Sequence, residues 1–78
     1  MDLAQLAPMT DGRVVDVGLP VPQRRRLAEL GLRPGAVLRV TQRAAFGGRV
    51  VALGAERFAV DAATCARVEV RQVGPVTG

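Results

Sequence analysis

Three consecutive arginines, Arg24 to Arg26, form the densest group of charged side chains in the sequence. A guanidinium group pairs with carboxylates and phosphates through a planar fork of N–H donors, so such a run can recognise an acidic protein, a nucleic acid or anionic lipid. On a helix, Arg25 would also be spaced for an i,i+4 ion pair with Glu29. Two interpretations stay open: the run is a basic patch for a partner, or it is a solvated helix face.

The amino-acid composition argues against catalysis. All eleven basic residues are arginines, they outnumber the seven acidic residues, and the formal net charge is +4. The chain has no histidine, lysine, serine, tyrosine, tryptophan or asparagine. Histidine is the usual acid–base group near neutral pH and the commonest metal ligand, and serine and lysine are common nucleophiles. We therefore expect a protein that is not an enzyme.

The seven carboxylates and the single cysteine, Cys65, are the remaining candidates for a metal site. The carboxylates lie in different predicted elements and have no repeated ligand spacing, whereas iron sites draw on imidazole, thiolate or clustered carboxylates. Free cysteine often behaves as a small buried hydrophobe, so we interpret Cys65 as a core residue rather than a ligand or redox switch. No lysine follows the glycines as it would in a phosphate-binding loop. We expect neither a metal nor a cofactor.

A short helix is predicted to carry the arginine run. Pro22 suits the first position of a helix, because its fixed φ is helical and its missing N–H is not needed there. The helix covers residues 23–30, with Leu27 and Leu30 facing inward and the arginines outward. Gly31 is placed to take the left-handed conformation that ends a helix.

Short valine-rich runs that alternate with polar residues predict five strands joined by tight turns. They are residues 13–18, 37–43, 49–53, 56–60 and 66–71. In the first strand we place Val15 and Val17 on one face, with Val14 and Asp16 on the other. An N-terminal turn that carries Leu3, Leu6 and Met9 at helical spacing is expected to pack against the strands. These elements predict a mainly β fold, a small and strongly bent barrel with one helix.

Turn residues fix the connections between these elements. Pro34 and Gly35 fit the two central positions of a type II turn, in which the glycine has a positive φ. Gly54 begins a two-residue hairpin of the kind that favours glycine first. Asp61 is a candidate N-cap for a single helical turn over residues 62–65.

The length of the chain predicts one domain, residues 1–78, with its core at about 3–71 and a flexible tail at 72–78. No apolar run approaches the roughly 20 residues that span a bilayer, and the amino terminus lacks the pattern of a secretion signal. A single cysteine agrees with a reducing compartment. We therefore expect a cytoplasmic protein.

Residues 26–35, Arg-Leu-Ala-Glu-Leu-Gly-Leu-Arg-Pro-Gly, resemble the helix-and-turn signature of the FeoA family of ferrous iron transport accessory proteins. The resemblance continues through the valine-rich strand that follows, the Gly47-Gly48 loop and residues 65–70. It implies an SH3-like barrel of about five strands, with one short α-helix and a helical turn before the last strand. It also implies a role beside the membrane permease FeoB, a GTPase-linked ferrous iron transporter.

Four residues are our candidates for partner binding: Arg24, Arg25, Leu32 and Phe46. The arginines would meet an acidic surface, and the two apolar side chains, which lie beside turns, would supply the apolar centre of an interface if they are exposed. We expect an adaptor that binds and modulates the permease from its cytoplasmic side, peripheral to the membrane through that partner. The alternative is a nucleic-acid-binding barrel, which the basic charge favours and the scarcity of aromatic side chains disfavours. Pairing of strand edges leaves a homo-oligomer open.

Overall fold

The computed structural model describes residues 1–73, in which nine short elements follow one another. The strands are β1 (Asp11–Val17), β2 (Val37–Arg43), β3 (Arg49–Leu53), β4 (Glu56–Val60) and β5 (Val68–Val73). The helices are α1 (Val21–Glu29) and α2 (Ala62–Cys65), with two further 3₁₀ turns at Leu3–Gln5 and Ala45–Gly47.

All five strands pair antiparallel in one sheet, in the order β4-β3-β2-β1-β5. The last strand returns to pair with the first, which brings the two ends of the domain together. The register shifts once in β1 and once in β2, and bulges of this kind bend a strand and increase its twist. The sheet therefore curves around its own inner face. The mainly β, SH3-like fold predicted from the sequence, with one helix and a helical turn before the last strand, is confirmed.

The inner face of the sheet and the N-terminal turn enclose an aliphatic core. The buried residues are Leu3, Leu6, Val14, Val17, Leu32, Leu38, Val40, Val51, Val60, Cys65, Val68 and Val70. Within residues 1–73 no polar or charged side chain belongs to this buried set. Hydrophobic burial thus holds the domain together, and the charged side chains remain for the surface.

The bulge in β1 makes one sequence prediction wrong. Val14 and Val17 are both buried, whereas Val15 is 43% exposed. In a regular strand, residues three apart face opposite sides, but the register shift between Val14 and Asp16 inserts one extra residue. Val14 and Val17 therefore share the inner face, and Val15 lies outside.

The N-terminal turn is shorter than the sequence suggested. Leu3 and Leu6 are buried as predicted, but Met9 is 64% exposed and has a φ of 64°. This left-handed residue reverses the chain, and its N–H donates to the carbonyl oxygen of Val40 over 2.6 Å. The backbone of Met9 therefore joins the sheet while its side chain lies outside, which corrects the prediction.

The last strand continues further than predicted. Gln72 pairs with Gly12 and Val73 pairs with Asp11, so the end of β5 is part of the sheet rather than of a tail. The strand begins at Val68, two residues later than predicted, because the chain is still turning after α2. The rest of the predicted tail, 74–78, lies outside the described residues.

The predicted turn geometry is confirmed. Gly31 and Gly35 have φ values of 97° and 93°, and Gly54 has a φ of 61° in a two-residue connection between β3 and β4. These values lie in the left-handed region that favours glycine. Asp61 caps α2, because its Oδ1 accepts a hydrogen bond of 2.7 Å from the backbone N–H of Thr64.

Candidate partner-binding groove

Helix α1 displays the arginine run on the surface. It begins at Val21, two residues earlier than predicted, and none of its nine residues is buried. Leu27 is half-buried and packs against the core, which attaches the helix to the sheet along one side. All three arginines of the run are exposed. The sequence prediction that the arginines face outward is therefore confirmed.

The end of α1 decides which leucine faces the core. The N–H of Leu32 donates to the carbonyl oxygen of Leu27 over 2.9 Å, and the N–H of Gly31 donates to that of Ala28 over 2.9 Å. These two bonds define a Schellman motif, which turns the second residue after the cap back toward the helix. Leu32 is therefore fully buried, whereas Leu30 is 43% exposed. The prediction of an inward Leu30 is therefore wrong, and Leu32, which could supply the apolar centre of an interface only if exposed, is inaccessible.

An open groove of about 560 Å³ lies between α1, the turn that follows it and the end of β1. It is lined by Asp16, Val21, Arg24, Arg25, Ala28, Leu32, Arg33 and Pro34. Leu32 lies at its floor, buried beneath the surface, and the apolar walls come from Val21, Ala28 and Pro34. The tertiary structure thus brings together three of the four predicted partner-binding residues, although one of them is inaccessible.

The groove is basic. Three of its residues, Arg24, Arg25 and Arg33, are cationic, and Asp16 is its one carboxylate. Guanidinium groups stay protonated at all physiological pH values, so they cannot move protons in a reaction. They can bind a carboxylate or phosphate strongly, because such hydrogen bonds are charge-assisted. These three arginines give the groove the chemistry of an anion-binding surface.

No acidic side chain of residues 1–73 forms an ion pair with the groove arginines. In this part of the chain the one ion pair joins the Nε of Arg39 to the Oδ1 of Asp11 over 2.7 Å. The hydrogen bond from Arg39 holds the pKa of Asp11 below its ordinary value. The predicted pair of Arg25 with Glu29 is therefore not formed, which is reasonable because an exposed pair gains only about 0–1 kcal/mol.

Arg26 lies on the other side of the helix from the groove. With Leu19, Gln23 and Leu27 it borders a smaller depression of about 260 Å³, whose opposite wall is formed by Asp61 and Thr64 of the second helical turn. Hydrogen bonds from Thr64 lower the pKa of the Asp61 carboxyl. The arginine run is thus divided between two surfaces, and only its first two members face the groove.

Phe46 is not part of the groove. It lies in the β2–β3 connection, is 99% exposed, and has left-handed backbone angles of 56° and 34°. The loop that carries it packs against α2, because a Cβ atom on Gly47 would lie 3.3 Å from the Cβ of Ala62. Phe46 therefore meets the condition of exposure, but it does not line the groove that Arg24 and Arg25 border.

Arg49 holds the Phe46 loop in place, a role that the sequence reasoning missed. Its Nη1 donates to the carbonyl oxygens of Gly47 and Gly48 over 2.8 and 2.9 Å, and its Nη2 donates to that of Ala4 over 2.9 Å. The loop is thereby fastened to the N-terminal turn. The sequence could have indicated this role, because strand alternation places Arg49 on the same inner face as Val51.

Cys65 is a core residue, as predicted. It is fully buried, and its Sγ lies 3.5 Å from the carbonyl oxygen of Val60 as a hydrogen-bond donor. Burial raises the pKa of the Cys65 thiol, because the thiolate would lose its hydration. Within residues 1–73, no three His, Cys, Asp or Glu side chains are grouped so that they could hold a metal ion.

Comparison with known proteins identifies the family. The family model described as the FeoA domain matches residues 1–72. No curated protein matches the chain in sequence. Within residues 1–73, no helix has the length and apolar character needed to cross a membrane.

Three solved structures are similar to this chain along most of its length. A crystal structure of an iron uptake regulatory protein, FeoA, has 30% sequence identity and a TM-score of 0.84, with 94% of this chain and 97% of that chain covered. The FeoA protein of Chlorobium tepidum has 27% identity and a TM-score of 0.87, with 95% and 71% covered.

The third similar structure is the zinc complex of FeoA from Stenotrophomonas maltophilia. That protein is described as a prokaryotic SH3 domain protein with a suggested role as a ferrous iron transport activating factor. It has 33% identity and a TM-score of 0.74, with 91% of this chain and 89% of that chain covered. The chain therefore belongs to the FeoA family, the SH3-like accessory proteins of ferrous iron transport.

Proposed function

We propose that this protein is a cytoplasmic, non-enzymatic adaptor that binds the FeoB-type ferrous iron permease and modulates its transport. The observation that carries the proposal is the basic groove beside α1, in which Arg24 and Arg25 border apolar walls. The suggested role of the Stenotrophomonas maltophilia relative as a transport activating factor supports a transport partner.

An acidic segment of the partner fits this groove physically. Its carboxylates would pair with Arg24, Arg25 and Arg33, and its apolar side chains would cover Val21 and Pro34. Arginine is enriched in protein interfaces because the planar guanidinium combines bidentate pairing with apolar stacking. The volume of about 560 Å³ admits a few side chains of a protein segment. The groove therefore favours a partner whose surface is acidic with apolar residues between the charges.

Phe46 supplies a second, separate contact in this proposal. Aromatic side chains often dominate the binding energy of an interface, and Phe46 is held outward by a loop that Arg49 fastens. A loop backbone that is already held in place loses less conformational entropy on binding than a mobile one. Phe46 would contact the permease outside the groove.

A nucleic-acid-binding barrel is the second candidate, favoured by the net charge of +4. Binding of single strands usually relies on aromatic side chains that stack on the bases. Of the two phenylalanines, Phe58 packs against the core and only Phe46 is exposed. The surface therefore offers no stacking platform, and the adaptor is the better supported function.

The test compares two double variants that have the same net charge but differ in the surface that is altered. Arg24→Glu with Arg25→Glu, the groove variant, reverses the charge of two groove residues. Arg13→Glu with Arg71→Glu, the sheet variant, reverses the charge of two exposed residues of the sheet. Each substitution changes the charge by −2, so both double variants fall from +4 to 0. Association with detergent-solubilised permease is measured by calorimetry, and the melting temperature of each variant is measured in parallel.

We expect the groove variant to bind the permease at least about tenfold more weakly, because buried charge pairs across an interface cost 2–5 kcal/mol or more to break. The sheet variant should bind like the parent. Equal binding by the groove variant and the parent would show that the arginine run is a solvated helix face. Displacement of the permease by excess DNA or RNA would favour the nucleic-acid-binding function.

A further inference from the structure

The sheet has two edge strands, β4 and β5. The middle of the β5 edge is covered by the start of the chain. The N–H of Val70 donates to the carbonyl oxygen of Met1 over 2.8 Å, and Asp2 forms a β-bridge with Glu69. Within residues 1–73, by contrast, no backbone segment pairs with the outer edge of β4. An unpaired edge of this kind is a template for a further strand.

The hairpin between β3 and β4 decides which backbone groups of β4 point outward. Leu53 and Glu56 flank its two-residue turn, and residues in this position exchange two hydrogen bonds. Hydrogen-bonded and non-hydrogen-bonded pairs alternate along an antiparallel ladder, so Phe58 also bonds to β3. The N–H and C=O groups of Arg57 and Ala59, on either side of Phe58, therefore point to the open edge.

The side chains of β4 leave this edge accessible. Proteins commonly protect an open edge with a proline or a β-bulge. Strand β4 contains no proline, and it pairs with β3 without a register shift. Its two charged residues, Glu56 and Arg57, come first in the strand, and the small side chain of Ala59 is exposed on the outer face. The end of the strand that follows them is therefore free of charge.

The strand that fits this edge is β4 of a second copy. A two-fold axis at Phe58 places Arg57 of each copy opposite Ala59 of the other, where their outward N–H and C=O groups complete about four hydrogen bonds. The small Ala59 leaves room for the arginine opposite it, and no like charges face each other. The two Phe58 side chains lie opposite each other as an aromatic cross-strand pair, which stabilises a sheet.

Other registers of the same two strands fit less well. An axis at Arg57 would place the two arginines directly opposite each other, where like charges repel. An axis at Ala59 would bring Arg57 opposite Asp61, beyond the end of the strand. The carbonyl oxygen of Asp61 already accepts from the N–H of Cys65 over 2.9 Å, because the chain has turned into α2. The axis at Phe58 is therefore the register in which charge and hydrogen bonding agree.

We propose that this protein forms a two-fold symmetric dimer by antiparallel pairing of its β4 strands. A head-to-tail assembly would pair β4 of one copy with β5 of the next, but the first two residues of the chain obstruct β5. Pairing of β4 with β4 uses the same surface on both copies, so it closes at two. None of the residues that line the groove belongs to β4, so the dimer presents two free grooves. Its formation does not depend on the proposed permease partner.

The test measures self-association by sedimentation equilibrium, without permease, so its result is independent of the proposed function. The parent should dimerise as its concentration rises, and the amides of Arg57 and Ala59 should then gain protection from hydrogen exchange. Ala59→Glu should tighten the dimer by about two- to thirtyfold, because each glutamate faces Arg57 of the other copy. Ala59→Lys should weaken it by a similar factor, because like charges then face each other.

A third variant, Ala59→Pro, removes the outward N–H without removing a hydrogen bond to β3. It should weaken the dimer by at least about fivefold, since two of the four hydrogen bonds are lost. If this variant fails to fold, the two charge variants still decide the proposal. Their melting temperatures, measured where the parent is monomeric, show that the exposed position tolerates both side chains.

Gln72→Glu and Gln72→Lys are the matched controls. Gln72 is exposed in β5, and these variants have the same net charges as the Ala59 variants, 4 − 1 = +3 and 4 + 1 = +5. They should dimerise within about twofold of the parent. Effects equal to those at Ala59 would mean that net charge alone acts, and would overturn the proposal.

Three further results would overturn it. The first is a parent that stays monomeric up to about 1 mM. The second is a weaker dimer in both Ala59→Glu and Ala59→Lys, which would indicate an axis at Ala59 or a different interface. The third is protection of the Arg57 and Ala59 amides only when permease is added, which would assign the edge to a strand of that protein.

Discussion

Gly31 approaches Leu53 so closely that a Cβ atom on Gly31 would lie 2.5 Å from the Cδ2 of Leu53. The contact joins the end of α1 to β3, and it coincides with a φ of 97° at Gly31. Gly35 has a similar φ of 93°, but a Cβ atom there would meet nothing within 4 Å. A substitution at Gly35 therefore tests backbone strain alone, whereas a substitution at Gly31 adds steric overlap with Leu53 to that strain.

Replacing Gly35 with alanine should lower the free energy of unfolding by about 1–3 kcal/mol, the cost of a left-handed non-glycine residue. Replacing Gly31 with alanine should cost up to about 1 kcal/mol more, because the new methyl group must also displace the end of the partly buried Leu53 side chain. Urea denaturation measures both values. Equal losses in the two variants would contradict the close contact with Leu53.

The buried position of Leu32 gives a second prediction. Leu32→Ala should lower the free energy of unfolding by about 2–5 kcal/mol, because it leaves a cavity in a small core. Leu30→Ala removes the same atoms from an exposed position at the helix end, and should change the stability by less than about 0.5 kcal/mol. Thermal or urea denaturation of the two variants measures both changes in stability. A larger loss of stability for Leu30→Ala than for Leu32→Ala would contradict the burial of Leu32.

Arg49 should be important for the stability of the Phe46 loop. Arg49→Met keeps the apolar stem but removes the donors to Gly47, Gly48 and Ala4. Hydrogen bonds from a charged group contribute about 1.5–3 kcal/mol, so we expect a loss of that order and faster amide exchange in the loop. Arg43→Met is the matched control, because Arg43 is exposed and pairs in register with Arg49. It should leave both measurements unchanged.

Phe46 should matter for binding and not for folding. Its side chain is 99% exposed, so Phe46→Ala should change the free energy of unfolding by less than about 0.5 kcal/mol. If Phe46 is an anchor for the permease, the same substitution should weaken association by at least about tenfold, as expected for removal of an aromatic hot spot. Calorimetry with solubilised permease provides the measurement. Parent-like binding would exclude Phe46 from the interface.

The Cys65 thiol predicts a loss of stability in alkali. Burial raises its pKa in the folded protein above the ordinary value of 9.0, so the unfolded chain releases the proton first. The contribution of the thiol is therefore fully present below about pH 9 and declines as the pH rises above that value. Cys65→Ala should remove this part of the decline, as measured by urea denaturation at several alkaline pH values. If the free energy of unfolding declined equally with pH in the parent and in Cys65→Ala, the thiol would not contribute to the alkaline loss of stability.

The sequence by itself determined the features that depend on neighbouring residues. Leu38 and Val40 in β2, like Val68 and Val70 in β5, alternate with polar residues, and alternation along a strand fixes which face is buried. Asp61 needs only the N–H of Thr64 to cap the helix. Family membership also follows from local signatures of this kind.

Only the tertiary structure decided the features that depend on distant segments. A bulge moved Val15 outward because β1 had to match the register of β5, and the Schellman motif exchanged the expected places of Leu30 and Leu32. The chain approaches itself at Arg13 and Arg71, which lie at opposite ends of the sequence. Strand pairing between remote segments sets such neighbours through backbone hydrogen bonds, and a pattern of side chains along one segment does not specify them.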